Sequence, residues 1–308
     1  MQTQQNYTQN LQAPIVSFIL QLSLNPKERE IILIDDGSDI CPLDDLAEYL
    51  PNIIYLRQPN QGVSVARNYG IKIATGKYIQ FIDGDDYILQ AAYEHCLDIV
   101  RYHQPDIVTF NYCKNNKNIE PSYELPTPVT GTNFLNNNNL HGAAWSYIFR
   151  HSIVGNLLFT PKIVYGEDEE FTPQLFLRAE RIFKINTEAY FYRDNKNSVS
   201  HQYSKEKIQL RMDNSLEVLL HLQQLLDKLP IAERQALSRR IAQLSMDYLY
   251  NNIRLHHSLT SLNQAINNLR EHGLYPLPDK KYTKKYTMFR RTINTYLGRI
   301  ALLFFVKK

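Results

Sequence analysis

Cysteine is scarce in this chain, long apolar runs are missing, and neither sign of charge dominates. The three cysteines among 308 residues, Cys41, Cys96 and Cys113, form no CxxC pair and no even framework. That pattern argues for reduced thiols in a reducing compartment and against a disulfide scaffold or a cysteine-rich zinc site. The first ten residues are polar and show neither the basic nor the apolar region of a secretory signal. No apolar stretch approaches the roughly 18 residues of a membrane span; the nearest, residues 300–306, is far shorter. With 34 Lys and Arg against 31 Asp and Glu, the net charge is +3, too small to predict a nucleic-acid partner without a concentrated basic patch. What remains is 44% hydrophobic and 21% charged, the balance of a globular chain. It is expected in the cytoplasm, with the length of one large domain and an appendage.

Residues 11–24 place Leu11, Ile15, Phe18, Ile19 and Leu22 at helical spacing, and Asn25-Pro26 ends the element. A nearly continuous apolar run at 30–34 then stops at Asp35-Asp36-Gly37-Ser38, which predicts a strand buried on both faces. Residues 53–56 repeat the strand pattern, 63–75 suit a helix, and 78–82 form another strand that ends in Asp83-Gly84-Asp85-Asp86. A helix over 91–102 and a strand over 106–112 continue the alternation. The pattern predicts an α/β fold with a mostly parallel sheet and flanking helices, whose ligands sit beyond the carboxyl ends of the strands. Both acidic turns lie there. Residues 114–139, rich in Asn and Pro, read as a surface insertion. From residue 204 the character is helical over 206–229, 231–256 and 259–272, punctuated by Pro230 and Gly273. The expected division is therefore an α/β domain over 1–203 and a helical region over 204–308.

Asp83, Asp85 and Asp86 crowd three carboxylates into one turn, and two unit charges about 4 Å apart repel by about 4 kcal/mol at an effective dielectric near 20. A cation is the expected remedy. Hard oxygen ligands with few histidines nearby favour Mg²⁺ or Mn²⁺ completed by substrate phosphates; the plain alternative is a solvated turn. In the block Asn60-Gln61-Gly62-Val63-Ser64-Val65-Ala66-Arg67-Asn68, Gly62 and Ser64 begin a helix whose amides favour anions, and Arg67 adds a phosphate contact. Alternatively, Arg67 pairs with Asp35 or Asp86 and Asn68 caps backbone groups. Glu167-Asp168-Glu169-Glu170 stand where acids favour a first helical turn, whether or not they carry chemistry.

Together with Ala74-Thr75-Gly76-Lys77-Tyr78, these turns and blocks resemble the family 2 glycosyltransferases of the GT-A fold, over roughly residues 11–202. The resemblance implies an inverting transferase that takes a nucleotide-sugar donor, a UDP-sugar, and a glycan or lipid-linked acceptor in bacterial surface-polysaccharide assembly. It implies that Asp36 binds the nucleotide base or ribose, Asp83 the ribose or diphosphate, and Asp85 the divalent metal, Mn²⁺ or Mg²⁺, with Arg67 near the donor. The acidic run is similar to the family's Glu-Asp motif, which makes Asp168 the acceptor-activating base and Glu167 its nearest competitor, on the acceptor side. Trp145 resembles part of the acceptor segment and either stacks on a sugar or belongs to the core. The segment from Tyr192 to His201 is similar to the family's donor-closing segment, so Arg193 and His201 are expected at the diphosphate or metal, or, for His201, simply at the surface. One family feature is missing: no apolar strand precedes residue 11, and the sheet is expected to lack its first strand. That gap motivates a rival reading as a membrane-associated scaffold, and the acidic turns motivate another as a different metal-dependent nucleotide-phosphate enzyme.

After Asp279 there is no Asp or Glu, while Lys280, Lys281, Lys284, Lys285, Arg290, Arg291 and Arg299 alternate with apolar residues. Basic amphipathic helices bind anionic membrane surfaces. The tail is expected either to attach peripherally to the inner face of a bacterial membrane or to pack as a final helix.

Overall fold

The computed structural model describes residues 19–115, 122–193 and 204–306. They fall into two compact units, the first drawn from Met1–Gly131 and His141–Gln202, the second from Thr132–Leu140 and Tyr203–Lys308.

In the first unit, strand β1 (Ile32–Asp35) runs parallel to β2 (Ile54–Arg57), with Ile32 opposite Ile54 and Asp35 opposite Arg57. A second sheet has the order β3-β6-β5-β7-β4. Its strands are β3 (Tyr78–Gln80), β4 (Tyr87–Ile88), β5 (Ile107–Cys113), β6 (Tyr147–Arg150) and β7 (Ile182–Phe191). Here β5 and β7 are parallel, while β3–β6, β5–β6 and β4–β7 are antiparallel. The sheets are thus mixed. Short apolar runs announced the early strands, but their direction depends on β6 and β7, which return from residues far along the chain.

The helices of this unit are α1 (Val63–Ile73), α2 (Gln90–His103) and, later in the chain, α4 (Glu167–Leu177), while the intervening α3 (Gly131–Asn137) belongs from Thr132 onward to the second unit. Helix α2 places Tyr93, Cys96 and Ile99 at i, i+3 and i+6 on one stripe, where they pack with Val108, Phe110, Ile148, Phe183 and Ile185 of the sheet. Burial of each such large side chain contributes about 1.5–3 kcal/mol. The Asn-rich stretch is not all surface: Phe134 and Leu135 of α3 are buried, because two adjacent apolar side chains suffice to anchor a two-turn helix. The helix expected over 11–24 and the question of an earlier strand fall mostly outside the described residues; residues 19 and 20 are helical.

The second unit contains α5 (Lys205–Leu225), α6 (Ile231–His256), α7 (Leu259–Glu271), α8 (Lys284–Ile293) and α9 (Tyr296–Phe305). Ser204 and Ser258 cap α5 and α7 by accepting from Lys207 N and Ser261 N. Buried Arg239 of α6 donates to the carbonyls of Leu135, Asn138 and Lys281, so its guanidinium is satisfied by peptide groups. Among the described residues no helix is long and apolar enough to cross a membrane.

Candidate functional site

Two acidic rims stand at strand ends. At the first, β1 closes on Asp35, which is buried and accepts from Ser38 N at 2.8 Å and Tyr55 Oη at 2.7 Å, with Arg57 Nε at 3.4 Å. Asp36 Oδ1 accepts from Gln58 Nε2 (2.7 Å) and Gln61 N (2.9 Å), and Oδ2 from Gly62 N (2.8 Å). Gly62 is the residue before α1 and has φ of 90°, a conformation that favours glycine. The amide of Gly62, expected to face an anion, is therefore already taken by Asp36, which serves first as the anchor of the loop that starts α1.

At the second rim, Arg67 projects from α1 and bridges two carboxylates, with Nη2 at 3.0 Å from Asp83 Oδ1 and Nη1 at 2.9 Å from Glu167 Oε1. Its guanidinium carbon lies 5.8 Å from the Phe81 ring centroid and 5.4 Å from that of Phe159, so aromatic faces and carboxylates hold the cation together. Burial alone would lower the Arg67 pKa, but Asp83, Glu167 and Asp168 raise it and keep the charge fixed. Asn68, next on the helix, pairs both ways with the Phe159 backbone at 2.8 Å, which holds that ring in place. The alternatives in which Arg67 meets Asp35 or Asp86 are not what the fold builds.

Helix α4 starts after Gly166 (φ 85°), and its first turn holds Glu167, Asp168, Glu169 and Glu170. Burial drives Asp168 well above the ordinary carboxylate range, and the charges of Glu167 and Glu169 push the same way against Arg67. Glu167 is raised too, chiefly by burial, although Arg67 opposes this. A carboxyl poised above its usual range beside a cation is the kind of group that accepts a proton near neutral pH.

Asp86 is 2% exposed. It accepts from Tyr190 Oη at 2.9 Å and from Arg193 N at 2.8 Å. Burial, reinforced by Asp85 and Asp83, pushes it up to about 7 despite those two bonds. Asp83 N in turn donates to Tyr190 Oη at 3.1 Å, so one tyrosine shapes the whole turn.

Asp36, Arg67, Asp83 and Gly84 line one end of a cavity of about 650 Å³ whose remaining walls are largely apolar; Glu167 and Asp168 join this end through Arg67. Asp85 stands between Asp83 and Asp86 in the turn. Other expected residues are placed differently. Trp145 is 5% exposed and stacks on Tyr190, ring centroids 4.4 Å apart; of its two readings the fold takes the core one, and the indole steadies Tyr190. Glu167 faces Arg67. Arg193 meets Asp86 through its backbone, with an exposed side chain, and His201 lies outside the described residues. Sequence reasoning missed Tyr190, Phe81 and Phe159 as site builders. Only Phe81, beside the acidic turn, carried a local signal.

Comparison with known proteins gives this geometry a context. The family model described as Glycosyl transferase family 2 matches residues 5–158, half of the chain. The uncharacterized glycosyltransferase EpsJ of Bacillus subtilis is 32% identical over 188 residues, covering 56% of this chain and 54% of that protein. Glycosyltransferase GlyA of Streptococcus pneumoniae is 25% identical over 243 residues, 71% of this chain and 34% of its own. The chain thus spans about half the length of the first of these relatives and about a third of the second. A crystal structure of S. aureus TarS 1-349 in complex with UDP-GlcNAc superposes with a TM-score of 0.71 at 18% identity, covering 97% of this chain and 86% of that one. The likeness establishes the GT-A fold. By the match to its family model, this chain belongs to glycosyl transferase family 2.

Proposed function

We propose that the chain moves a glycosyl group, with inversion, from a UDP-sugar to a hydroxyl of a glycan or lipid-linked acceptor in bacterial surface-polysaccharide assembly. The observation that carries this reading is Arg67 tied to Asp83 and Glu167 at a cavity rim, with the proton-hungry Asp168 next to Glu167. The TarS complex with UDP-GlcNAc supports a nucleotide-sugar donor for this fold. In the proposed step the acceptor oxygen forms a bond to the anomeric carbon, Asp168 takes the hydroxyl proton, and the bond to the diphosphate oxygen breaks with its electron pair leaving on UDP. Asp36 Oδ2 accepts one bond among the described residues, which leaves a lone pair for a ribose hydroxyl.

The donor set at the second rim fits a hard divalent ion. Asp83 and Asp85 offer carboxylate oxygens, and among the described residues no three His, Cys, Asp or Glu side chains gather as a metal cage. An ion held here would take the rest of its shell from phosphate and water. Mn²⁺ or Mg²⁺ would supply neutralisation of the charge that develops on the diphosphate. Calorimetric titration with UDP, with and without Mn²⁺, followed by a transfer assay across a panel of UDP-sugars, tests the reading. Metal-dependent UDP binding and sugar transfer are expected. Absence of binding would favour a scaffold, and hydrolysis without transfer would favour another nucleotide-phosphate enzyme.

The acceptor is proposed to be met at an anionic membrane surface. Lys284, Met288 and Arg291 line one hollow of α8, and Leu297, Phe304 and Phe305 of α9 are exposed. Arg290 and Arg299 are spent internally, on Asp279 and on Tyr275 and Ile293. Vesicles of phosphatidylglycerol are expected to float the full chain at low salt, and replacement of Met288, Phe304 and Phe305 by Ser to abolish flotation. Flotation unchanged by those substitutions would remove this part of the proposal.

A further inference from the structure

We propose that residues 141–147 form a spacer that sets where Asp168 stands relative to the acidic turn after β3, and that Thr172 is the positioning residue through which this spacer grips α4. The inference rests on the reading of Asp168 as the base.

Helix α4 cannot hold its own first turn firmly. Gly166 gives it no side-chain cap, and Pro173, inside the helix, has no N–H to offer the Glu169 carbonyl. Four acids crowd that same turn. Arg67 of α1 holds it by Glu167, and a second grip comes from Thr172, one turn after Asp168. A threonine hydroxyl inside a helix commonly bonds back to the carbonyl four residues earlier, here that of Asp168. Instead Thr172 Oγ1 donates to Gly142 O at 2.5 Å, across 30 residues of sequence. A hydroxyl carries one proton, so in the 2.9 Å contact between Tyr147 Oη and Thr172 Oγ1 the tyrosine is the donor. Both side chains are fully buried, where a polar group left without its partner is costly. The hydrogen bonds from Tyr147 to Thr172 to Gly142 therefore admit one direction and one register. Gly142 also meets the same face of α4 at Glu169, three residues before Thr172. A Cβ on Gly142 would stand 2.1 Å from Glu169 Oε2, so this close approach requires a bare backbone.

The other end of the spacer is fixed to the acidic turn. Gln80 Nε2, at the end of β3, donates to Trp145 O at 2.7 Å and to Phe81 O at 2.6 Å, which ties the spacer to the exit of the strand. The Trp145 ring stacks on Tyr190, which binds Asp86 and accepts from Asp83 N. Between the two ends, Ala143 O accepts from Ser146 N at 3.0 Å and from Ser146 Oγ at 2.7 Å, which closes a tight turn. Tyr147 itself is locked in the sheet opposite Thr109. In the proposed transfer the attacking oxygen and the departing diphosphate must line up across one carbon, and a misplacement of about 1 Å costs about 10²-fold in rate. A rigid segment with the base helix at one end and the acidic turn at the other sets that alignment.

The test uses the full chain with Thr172→Val, which keeps the side-chain shape and deletes the hydroxyl, and Thr172→Ser, which keeps the hydroxyl. Hydrogen exchange is read at the Glu170 amide, whose bond to Gly166 O at 3.1 Å closes the first turn of α4. Exchange there is expected to quicken about tenfold or more in the valine variant, because a buried partner is lost, and to return to the parent rate in the serine variant. Turnover is followed over the panel of UDP-sugars with octyl glucoside as acceptor, and UDP affinity by titration. In the valine variant kcat is expected to fall about 10–100-fold, with KM for the donor and UDP affinity within about twofold of the parent; serine is expected to restore kcat. Tyr147→Phe, which removes only the outer hydroxyl beside Phe176, is expected to show the same pattern at smaller size, and it carries the test should the valine variant not fold. Exchange unchanged at Glu170, or not restored by serine, overturns the grip. Faster exchange with kcat unchanged, or with UDP affinity weakened in step with kcat, overturns the positioning role. Absence of transfer by the parent from every donor overturns the base reading instead, and exchange at Glu170 still decides the grip.

Discussion

Asp35 at the end of β1 and Asp86 in the turn between β3 and β4 have nearly the same partners, yet they hold their protons in opposite ways. Each accepts one tyrosine hydroxyl and one backbone N–H, from Tyr55 and Ser38 in the first case and Tyr190 and Arg193 in the second, and Asp35 has the Ser38 side chain as a further hydrogen-bond partner. Burial pushes both acids up. At Asp35 the hydrogen bonds and Arg57 outweigh it, and the carboxyl falls below its ordinary range. At Asp86 burial wins, helped by Asp85 and Asp83, and the carboxyl rises to about 7. The extra hydrogen bond at Asp35, the depth of burial and the local balance of charge together decide the outcome. The first rim is balanced and serves as a latch. At the second, Arg67 faces Asp83, Glu167 and Asp168 together, and such a shortage of positive charge is what a cation and a proton transfer can use.

The strongest way to break this contrast is Asp168→Asn. If the second rim works through a proton-accepting carboxylate, turnover should fall by about 10²–10⁴-fold, the usual contribution of a general base, with UDP binding retained. The same change should not weaken the fold. A buried acid whose folded pKa lies above its unfolded value of 3.8 binds its proton more tightly when folded, so it costs stability as pH rises above that value. The thermal midpoint of the variant should match the parent near pH 4 and exceed it at neutral pH. Full turnover in Asp168→Asn would falsify its role as the base.

Arg67→Met sharpens the contrast from the other side. Its side chain is about 10% exposed, and removing one partner from a buried ion pair typically costs about 3–5 kcal/mol because the remaining charges are left uncompensated. Urea unfolding should show a loss of that size in the first unit, partly restored by Glu167→Gln in the same chain. A loss below about 1 kcal/mol would mean that solvent already screens the second rim as well as the first.

Much of this contrast was legible before folding, and the unreadable part has a physical cause. Apolar runs that end in Asp35-Asp36 and Asp83-Gly84-Asp85-Asp86 located β1 and β3, and four consecutive acids located the start of α4. Those signals are local. Tyr190 meets Asp86 across 104 residues of sequence, and Phe159 meets Asn68 across 91; contacts of such separation are fixed by sheet order, which no short window contains. Strand β7 did carry a signal, since Phe183, Ile185, Thr187 and Ala189 are buried while Lys184 and Asn186 are exposed. Its period of two was obscured by apolar Ile182 and Tyr190 on the other face, buried because other elements cover both sides there. Trp145 was ambiguous for a related reason: an indole serves equally well against a sugar or against Tyr190, and only the stack decides.

The smallest effect tests the contrast at its source, by comparing Asp35→Asn with Asp86→Asn in the presence of chelator. For Asp86 the folded pKa, about 7, lies above the ordinary 3.8. The folded state therefore binds the extra proton between those values, and stability attached to this group is present below about pH 4 and lost as pH rises towards 7. For Asp35 the folded value lies below 3.8; its contribution is present above that pH and lost as pH falls through the folded value. Thermal midpoints measured between pH 3 and pH 8 should separate the variants by sign. Asp86→Asn, which keeps an acceptor for Tyr190 and removes the repulsion from Asp83 and Asp85, should gain a few degrees over the parent at pH 7–8 and nothing at pH 4. Asp35→Asn, which gives up a carboxylate that Arg57 and Ser38 stabilise, should lose a few degrees at pH 7, with the difference from the parent shrinking as pH falls below 3.8. Curves that shift in the same direction would mean that hydrogen bonding, not charge balance, governs both turns.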